Sequence, residues 1–123
     1  MADAALFLGW GAVVRGREQR ALEIFNESLQ YYAELQSKRE IESFEVAVLE
    51  PHGGELNGFV LIRGDVDKLA RLRNDPEFQR RTARAQLIVE SIGVVGASIG
   101  AGLTRLMAMY AEEIEKVKGG VPV

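Results

Sequence analysis

Two apolar segments that each run directly into a polar helical pattern constrain the fold of this chain more than any other feature. Each helical pattern is followed by a further apolar segment, so the sequence uses one arrangement twice. The four apolar segments lie at residues 5–14, 44–49, 58–64 and 92–101. Short apolar segments of this kind, bounded by glycine or proline, are typical of strands. The order predicts an α+β fold of the βαββαβ type, with a four-stranded antiparallel sheet and two helices on one face.

Length and charge limit the class of protein. The chain has 123 residues, no cysteine, one histidine and a net charge of -3. This length predicts a single domain over residues 1–123, in which 5–102 form the βαββαβ core and 103–118 an additional C-terminal helix. The lack of cysteine excludes disulfides, thiolate metal sites and a cysteine nucleophile, and it fits a cytoplasmic protein. The negative net charge argues against nucleic acid or an anionic membrane as a partner.

Two stretches are apolar enough to compare with membrane or export segments. Residues 4–14 follow Asp3 rather than a positive charge, so we expect no secretion signal there. Residues 92–103 are followed by Thr104 and Arg105, and they are too short for the ~20 residues that a spanning helix needs. We therefore expect a soluble chain without a membrane partner.

The first and third predicted strands are apolar on both faces. Residues 6–14 alternate between Leu, Trp and Val on one side and Phe, Gly and Val on the other, and residues 58–63 show a similar pattern. A strand with two apolar faces is normally covered on both sides. We expect these to be central strands whose second face is covered by another copy of the chain.

Helical patterns extend over residues 17–41, 66–73 and 103–118, and Asp75 followed by Pro76 predicts a further helix start. The last helix has apolar residues at alternating spacings of four and three, which is typical of a helix that packs on another element. We predict that this stripe is an interface, on its own domain or on a neighbouring subunit. Its members are Leu103, Met107, Tyr110, Ile114 and Val117.

The order of elements and two short runs resemble a known superfamily. The runs are GFVLIRGD at residues 58–65 and, after a short helix, NDPEF at residues 74–78. In these the chain is similar to the ferredoxin-like domains of the dimeric α/β-barrel superfamily, which includes relatives of the antibiotic-biosynthesis monooxygenases, the EthD-like proteins and the stress-responsive barrel proteins. The resemblance covers residues 5–102. It implies a homodimer or higher homo-oligomer in which two sheets close a barrel around a ligand site.

Five side chains are candidates for ligand contacts. Trp10 lies in the first strand, and Asn57 and Arg63 share one face of the third strand with Phe59, an apolar face with polar ends that suits a cavity rim. His52 lies between proline and glycine in a turn, where it is either a base or simply solvated. The alternatives are a core role for Trp10 and plain solvent exposure for Asn57 and Arg63 at the strand ends.

Two functions of different class remain open on the sequence. One is a non-catalytic dimeric barrel that binds a small apolar molecule or serves as an assembly module. The other is a cofactor-independent monooxygenase-like or isomerase-like enzyme, in which Trp10, Asn57 and Arg63 orient a small aromatic or enolic substrate. Haem-degrading members of the superfamily use an axial histidine on a helix, whereas His52 lies in a turn. With one turn histidine and no cysteine, we predict no metal and no cofactor.

Overall fold

The computed structural model describes residues 2–119 of the chain. Its elements follow the predicted order, with the second helix divided into two. They are β1 (Ala4–Trp10), α1 (Glu18–Ser37), β2 (Ser43–Val48), β3 (Gly58–Gly64), α2 (Val66–Arg73), α3 (Pro76–Gln86), β4 (Gly93–Ser98) and α4 (Gly100–Lys118). No helix within residues 2–119 is long and apolar enough to cross a membrane.

The four strands form one antiparallel sheet in the order β2-β3-β1-β4. β1 and β3 are the central strands, as their two-sided apolar patterns predict. The register pairs Leu6 with Ile62 and Phe7 with Leu61. Because paired residues project to the same side of a sheet, the even-numbered residues of both strands share one side and the odd-numbered residues share the other. We call the side covered by α1, α2 and α3 the helix face and the opposite side the open face.

The main core lies on the helix face. Ile62 in its centre is 0% exposed. Its buried members are Ala4, Leu6, Leu8, Tyr31, Tyr32, Leu35, Ile41, Val60, Ile62, Leu69, Leu72 and Phe78. A second, smaller cluster lies at the other end of α1 and consists of Ala21, Ile24 and Ile88. The apolar interior is therefore divided into two parts along α1.

The break between α2 and α3 has a local chemical cause. The Asp75 carboxylate accepts a hydrogen bond from the Glu77 backbone N–H at 3.1 Å, and Pro76 occupies the first turn of α3. Proline has no N–H to continue the preceding helix but fits a helix start. Asp65 starts α2 in the same way, accepting from the Lys68 N–H at 3.2 Å. The helix starts predicted at residue 66 and at Asp75 are confirmed.

β1 is shorter than the strand predicted over residues 6–14. It ends at Trp10, after which the chain pairs with the segment that follows α3. The Gly11 N–H donates to the Glu90 carbonyl at 2.7 Å, and the Glu90 N–H donates to the Ala12 carbonyl at 2.8 Å. The backbone of residues 11 and 12 thus forms hydrogen bonds with residue 90 rather than with β3. The sheet therefore ends at Trp10, although the apolar pattern of the sequence continues to residue 14.

The junction between β4 and α4 also differs from the prediction. The strand expected to continue to about residue 102 ends at Ser98, and α4 begins at Gly100 rather than at 103. Gly100 has a φ of 52°, which turns the chain out of the sheet. Gly102 lies in the first turn of α4 against the Asp3 carbonyl, where there is no space for a Cβ. The sequence predicts a strand that contains Gly100 and ends at Gly102. In the structure, Gly100 makes the turn out of the sheet, and Gly102 allows α4 to approach the Asp3 carbonyl closely.

Candidate functional site

An apolar cleft opens on the helix face between α1 and α3. Its volume is about 400 Å³, within the ~300–1,000 Å³ typical of small-molecule sites. Members of both core clusters line it, so the cleft is the space that divides the interior. The sheet contributes Leu8, Trp10, Val48 and Val60; α1 contributes Phe25, Ser28, Leu29 and Tyr32; α3 and the segment after it contribute Arg81, Thr82, Ala85 and Ile92.

Trp10 lies at the sheet end of the cleft because β1 ends there. Its partner in the register is Gly58, and a Cβ at that position would lie 2.6 Å from Cζ2 of the indole. Glycine is therefore needed for the indole to lie against the sheet. The ring meets Phe25 of α1 edge-on, with the ring centroids 6.2 Å apart. This arrangement gives the cleft an aromatic wall.

Arg81 supplies positive charge at the wall formed by α3. Its Nε donates to the Glu77 carboxylate at 2.9 Å, and its guanidinium carbon lies 4.3 Å from the centre of the Tyr31 ring. The ion pair and the aromatic face together fix the orientation of the guanidinium. The arrangement can attract the acidic end of an otherwise apolar molecule.

Two neighbouring phenols complete the lining. Burial raises the pKa of Tyr31 to about 12, and the nearby Asp75 carboxylate acts in the same direction. Burial also raises the pKa of Tyr32 to about 12, with Tyr31 adding to the effect. Both phenols are protonated at neutral pH. They can therefore donate hydrogen bonds to a ligand but do not act as bases.

The side chains predicted to contact a ligand do not form one site. Trp10 lies on the helix face, whereas Phe59 and Arg63 lie on the open face. Phe59 stacks on Phe7 with a centroid distance of 5.2 Å, and Arg63 Nη2 donates to a Glu45 carboxylate oxygen at 3.1 Å. Grouping Trp10 with Phe59 and Arg63 is wrong because the register places even-numbered and odd-numbered residues on opposite sides.

His52 and Asn57 lie in the exposed loop between β2 and β3. Nδ1 of His52 accepts from the Gly54 N–H at 3.2 Å, and its Nε2 donates to the Leu56 carbonyl at 2.8 Å. Both ring nitrogens thus close the loop in which they lie. The backbone N–H of Asn57 donates to the Trp10 carbonyl at 2.8 Å. Neither residue lines the cleft.

The sequence missed Tyr31, Arg81 and Thr82 as site residues. The only signal for Tyr31 is its position next to Tyr32 in an amphipathic helix, and both tyrosines line the cleft because α3 packs beside α1. Arg81 cannot be distinguished by sequence from Arg80 and Arg84, which lie in the same arginine-rich helix. Within residues 2–119, no three His, Asp or Glu side chains are grouped to hold a metal ion.

The predicted stripe on α4 is not buried by its own domain. Its members are 45% (Leu103), 50% (Met107), 63% (Tyr110), 49% (Ile114) and 63% (Val117) exposed. α4 has no buried residue among those described. Of the two predicted locations for this interface, the protein's own domain is therefore excluded.

Comparison with known proteins supports the fold and leaves the family open. No protein-family model matches the sequence, and no curated protein matches it. Solved structures do match. A dimeric protein of unknown function and ferredoxin-like fold from Bacteroides fragilis has a TM-score of 0.57 at 15% identity, covering 78% of this chain and 96% of its own.

Two further structures have reported or candidate oxygenase activity. A variant of SnoaB, a cofactor-independent oxygenase from Streptomyces nogalater, has a TM-score of 0.55 at 15% identity, covering 80% of this chain and 94% of its own. A candidate antibiotic biosynthesis monooxygenase from Chloroflexus aurantiacus has a TM-score of 0.50 at 12% identity, covering 79% of this chain and 93% of its own. Identities this low establish the fold only.

These matches and the sheet order define the class of protein. The chain is an α+β protein with the ferredoxin-like βαββαβ fold and a C-terminal helix added to it. The predicted resemblance to ferredoxin-like dimeric and antibiotic-biosynthesis-monooxygenase-like proteins is confirmed at the level of fold. The matched structures are covered almost completely, whereas about a fifth of this chain is unmatched.

Proposed function

We propose that this protein is a cytoplasmic homodimer, with each chain a single domain, that binds a small and largely apolar molecule in the cleft of each protomer. The observation that carries the proposal is the cleft, whose aromatic and aliphatic walls leave about 400 Å³ free. Val13, Leu22 and Val48 at its lining are 39%, 56% and 71% exposed. Apolar side chains in contact with water at the mouth of a cavity favour occupation by an apolar ligand.

The open face supports the dimer. Phe7 and Phe59 stack there, and Leu61 and Val95 flank Phe7 in the two neighbouring strands. Apolar residues on the free side of a sheet are stabilised when a second layer covers them. The ferredoxin-like protein from Bacteroides fragilis is dimeric. A homodimer that joins two open faces would bury these residues and leave both clefts accessible.

The dimer is tested by changing the centre of the open face. Leu61→Asp places a charge at the proposed contact, while Leu87→Asp places the same charge on a residue that is 62% exposed at the end of α3. Both variants are made in a chain that also carries Met107→Asp and Ile114→Asp, so that the exposed apolar stripe of α4 cannot hold two copies together. In this background we expect light scattering to give a dimer for the chain without a further change and for Leu87→Asp, and a monomer for Leu61→Asp. A dimer that persists in Leu61→Asp in this background contradicts the sheet-to-sheet arrangement.

Ligand binding is tested with N-phenyl-1-naphthylamine, an uncharged aromatic probe that fluoresces in apolar sites. Ala85 lines the cleft, whereas Ala83 is exposed on the same helix. We expect Ala85→Phe to weaken binding by about tenfold or more, equivalent to about 1.4 kcal/mol, and Ala83→Phe to leave it unchanged. Equal affinities for the two variants would show that the probe binds elsewhere and would contradict the proposal.

A cofactor-independent oxygenase is the second candidate, favoured by the similarity in fold to SnoaB. In that case Trp10 and Arg81 would orient an aromatic or enolic substrate, and Glu18, a carboxylate of the cleft lining, would accept its proton. The test is oxygen uptake with anthrone, an enolisable aromatic ketone. Uptake that is lost in both Ala85→Phe and Glu18→Gln supports an enzyme, and uptake at the rate of protein-free buffer contradicts it.

A further inference from the structure

The helix α4 carries an apolar stripe that its own protomer does not cover. The stripe consists of the five interface residues named above, each between 45% and 63% exposed. Its N-terminal turns are attached to the domain, because Arg105 donates to the Asp3 carboxylate at 3.0 Å. Leu106 and Met109 line a groove beside β4 and α2. The stripe thus belongs to a helix that is anchored at one end and needs a partner along its length.

The spacing of the stripe is that of a coiled coil. The stripe residues fall on consecutive d, a, d, a and d positions of a heptad repeat, since they alternate four and three residues apart. The nineteen residues of α4 extend about 28 Å at 1.5 Å per residue. Ile114 at an a position and Leu103 at a d position fit the packing of a parallel pair of helices.

The charged residues beside the stripe indicate both the partner and its direction. In this heptad Glu113 occupies a g position and Lys118 the following e position. In a parallel pair of identical helices, each g residue faces the e residue five positions later in the partner, so Glu113 faces Lys118 twice. In an antiparallel pair g faces g, and a carboxylate would face either Leu106 or another carboxylate. In the single chain Glu113 pairs instead with Lys116, at 3.0 Å on the exposed surface.

We propose that α4 pairs in parallel with α4 of a second copy of this chain, as a two-helix coiled coil separate from the open-face contact. The charge complementarity of Glu113 and Lys118 selects a second copy as the occupant of the stripe. The proposal does not depend on a ligand in the cleft. It also remains testable in the Leu61→Asp background, in which the open-face dimer is removed.

The lack of cysteine in the chain allows a direct test by disulfide cross-linking. In a parallel pair, residue 117 of one helix lies opposite residue 117 of the other, whereas in an antiparallel pair these positions are at opposite ends. We expect Val117→Cys to form a covalent dimer rapidly on mild oxidation at low micromolar protein. Glu112→Cys, at an f position on the outer side of the same helix, is the matched control and should link at least tenfold more slowly.

Equal rates for the two cysteine variants would mean random collision and would overturn the proposal, as would no cross-link at residue 117. A second measurement tests the charge pair in the Val117→Cys protein. Glu113→Lys should slow the cross-link severalfold, and adding Lys118→Glu should restore the rate, because the pair is then reversed rather than broken. A rate that stays low in the reversed variant contradicts the assigned direction.

The double variant Met107→Asp with Ile114→Asp removes the stripe without changing the cleft or the open face. We expect it to lower the mass of the assembly or, where the open-face dimer maintains the mass, to lower the melting temperature at a given protein concentration. An unchanged mass and melting temperature would overturn the proposal. If the mass falls but residue 117 does not cross-link, α4 packs on the body of a partner instead, and the coiled coil is refuted.

Discussion

Raising the pH above 10 should destabilise this protein through Tyr31 and Tyr32. Their pKa values are raised from 10.0 to about 12 in the folded chain, so the fold favours the neutral phenols. The contribution to stability is complete below pH 10 and is lost as the pH rises through 12. Relative to its value below pH 10, the free energy of unfolding at pH 11 is lowered by about 1.4 kcal/mol for each phenol whose pKa is raised in this way. The two losses do not add fully, because the ring centroids are only 5.8 Å apart.

The assay is urea unfolding at pH 8 and pH 11, followed by circular dichroism. The parent should lose more free energy of unfolding between the two pH values than the double variant Tyr31→Phe with Tyr32→Phe, by about 1.4 to 2 kcal/mol. Leu35→Ala is the control, because Leu35 belongs to the same core and its truncation destabilises the protein while retaining both phenols. The same loss in the parent and in the double variant would refute the reasoning, since the phenols would then not be desolvated by the fold.

Three further substitutions test the packing and the local structure. Ile62→Ala should lower the free energy of unfolding by about 2–5 kcal/mol, because Ile62 is 0% exposed. Leu22→Ala, at a residue that is 56% exposed, should change the free energy of unfolding by about 0.5 kcal/mol or less. Urea midpoints measure both effects. Asp75→Ala removes the side-chain cap of α3 and should cost about 1 kcal/mol, with Asp75→Asn retaining most of it. Gly102→Ala should lower the melting temperature and displace the start of α4, because its Cβ has no space, and Gly93→Ala, where a Cβ meets nothing within 4 Å, is the control.

The fold could be predicted because local chemistry and the apolar pattern point to the same elements. Asp75 and Pro76 mark the start of α3 whatever surrounds them, and two-sided apolar strands are central strands in any layered fold. The ends of β1 and β4 could not be predicted in this way. The pattern of residues 6–14 stays apolar after Trp10, and only the hydrogen bonds of Gly11 and Ala12 to residue 90 show that the chain has left the sheet.

The candidate site was less predictable, because it depends on which face of the sheet the helices cover. The alternation in β3 separates Phe59 from Val60 without saying which of them faces α1. A cleft also requires two elements to stand apart, and the distance between α1 and α3 is a property of their packing rather than of either sequence. The sequence indicates Trp10 as a candidate but not Arg81, because the role of Arg81 comes from its contacts with Tyr31 and Glu77.

The alternation of β1 separates binding from assembly in the proposed function. Leu8 and Trp10 contribute to the cleft, while Phe7 between them contributes to the open face. Because adjacent strand residues point to opposite sides, a change at one face reaches the other only through the backbone of the shared strand. A rigid β1 would keep ligand binding and dimerisation independent of each other. A β1 that shifts on dimerisation would couple dimerisation to ligand binding. Gly9 belongs to the open face and lies in sequence between Leu8 and Trp10, and its Cβ would lie 2.8 Å from the Phe7 ring. The Phe7 ring therefore covers the backbone that joins two cleft residues, and a shift of this ring on dimerisation would reach the cleft through that backbone.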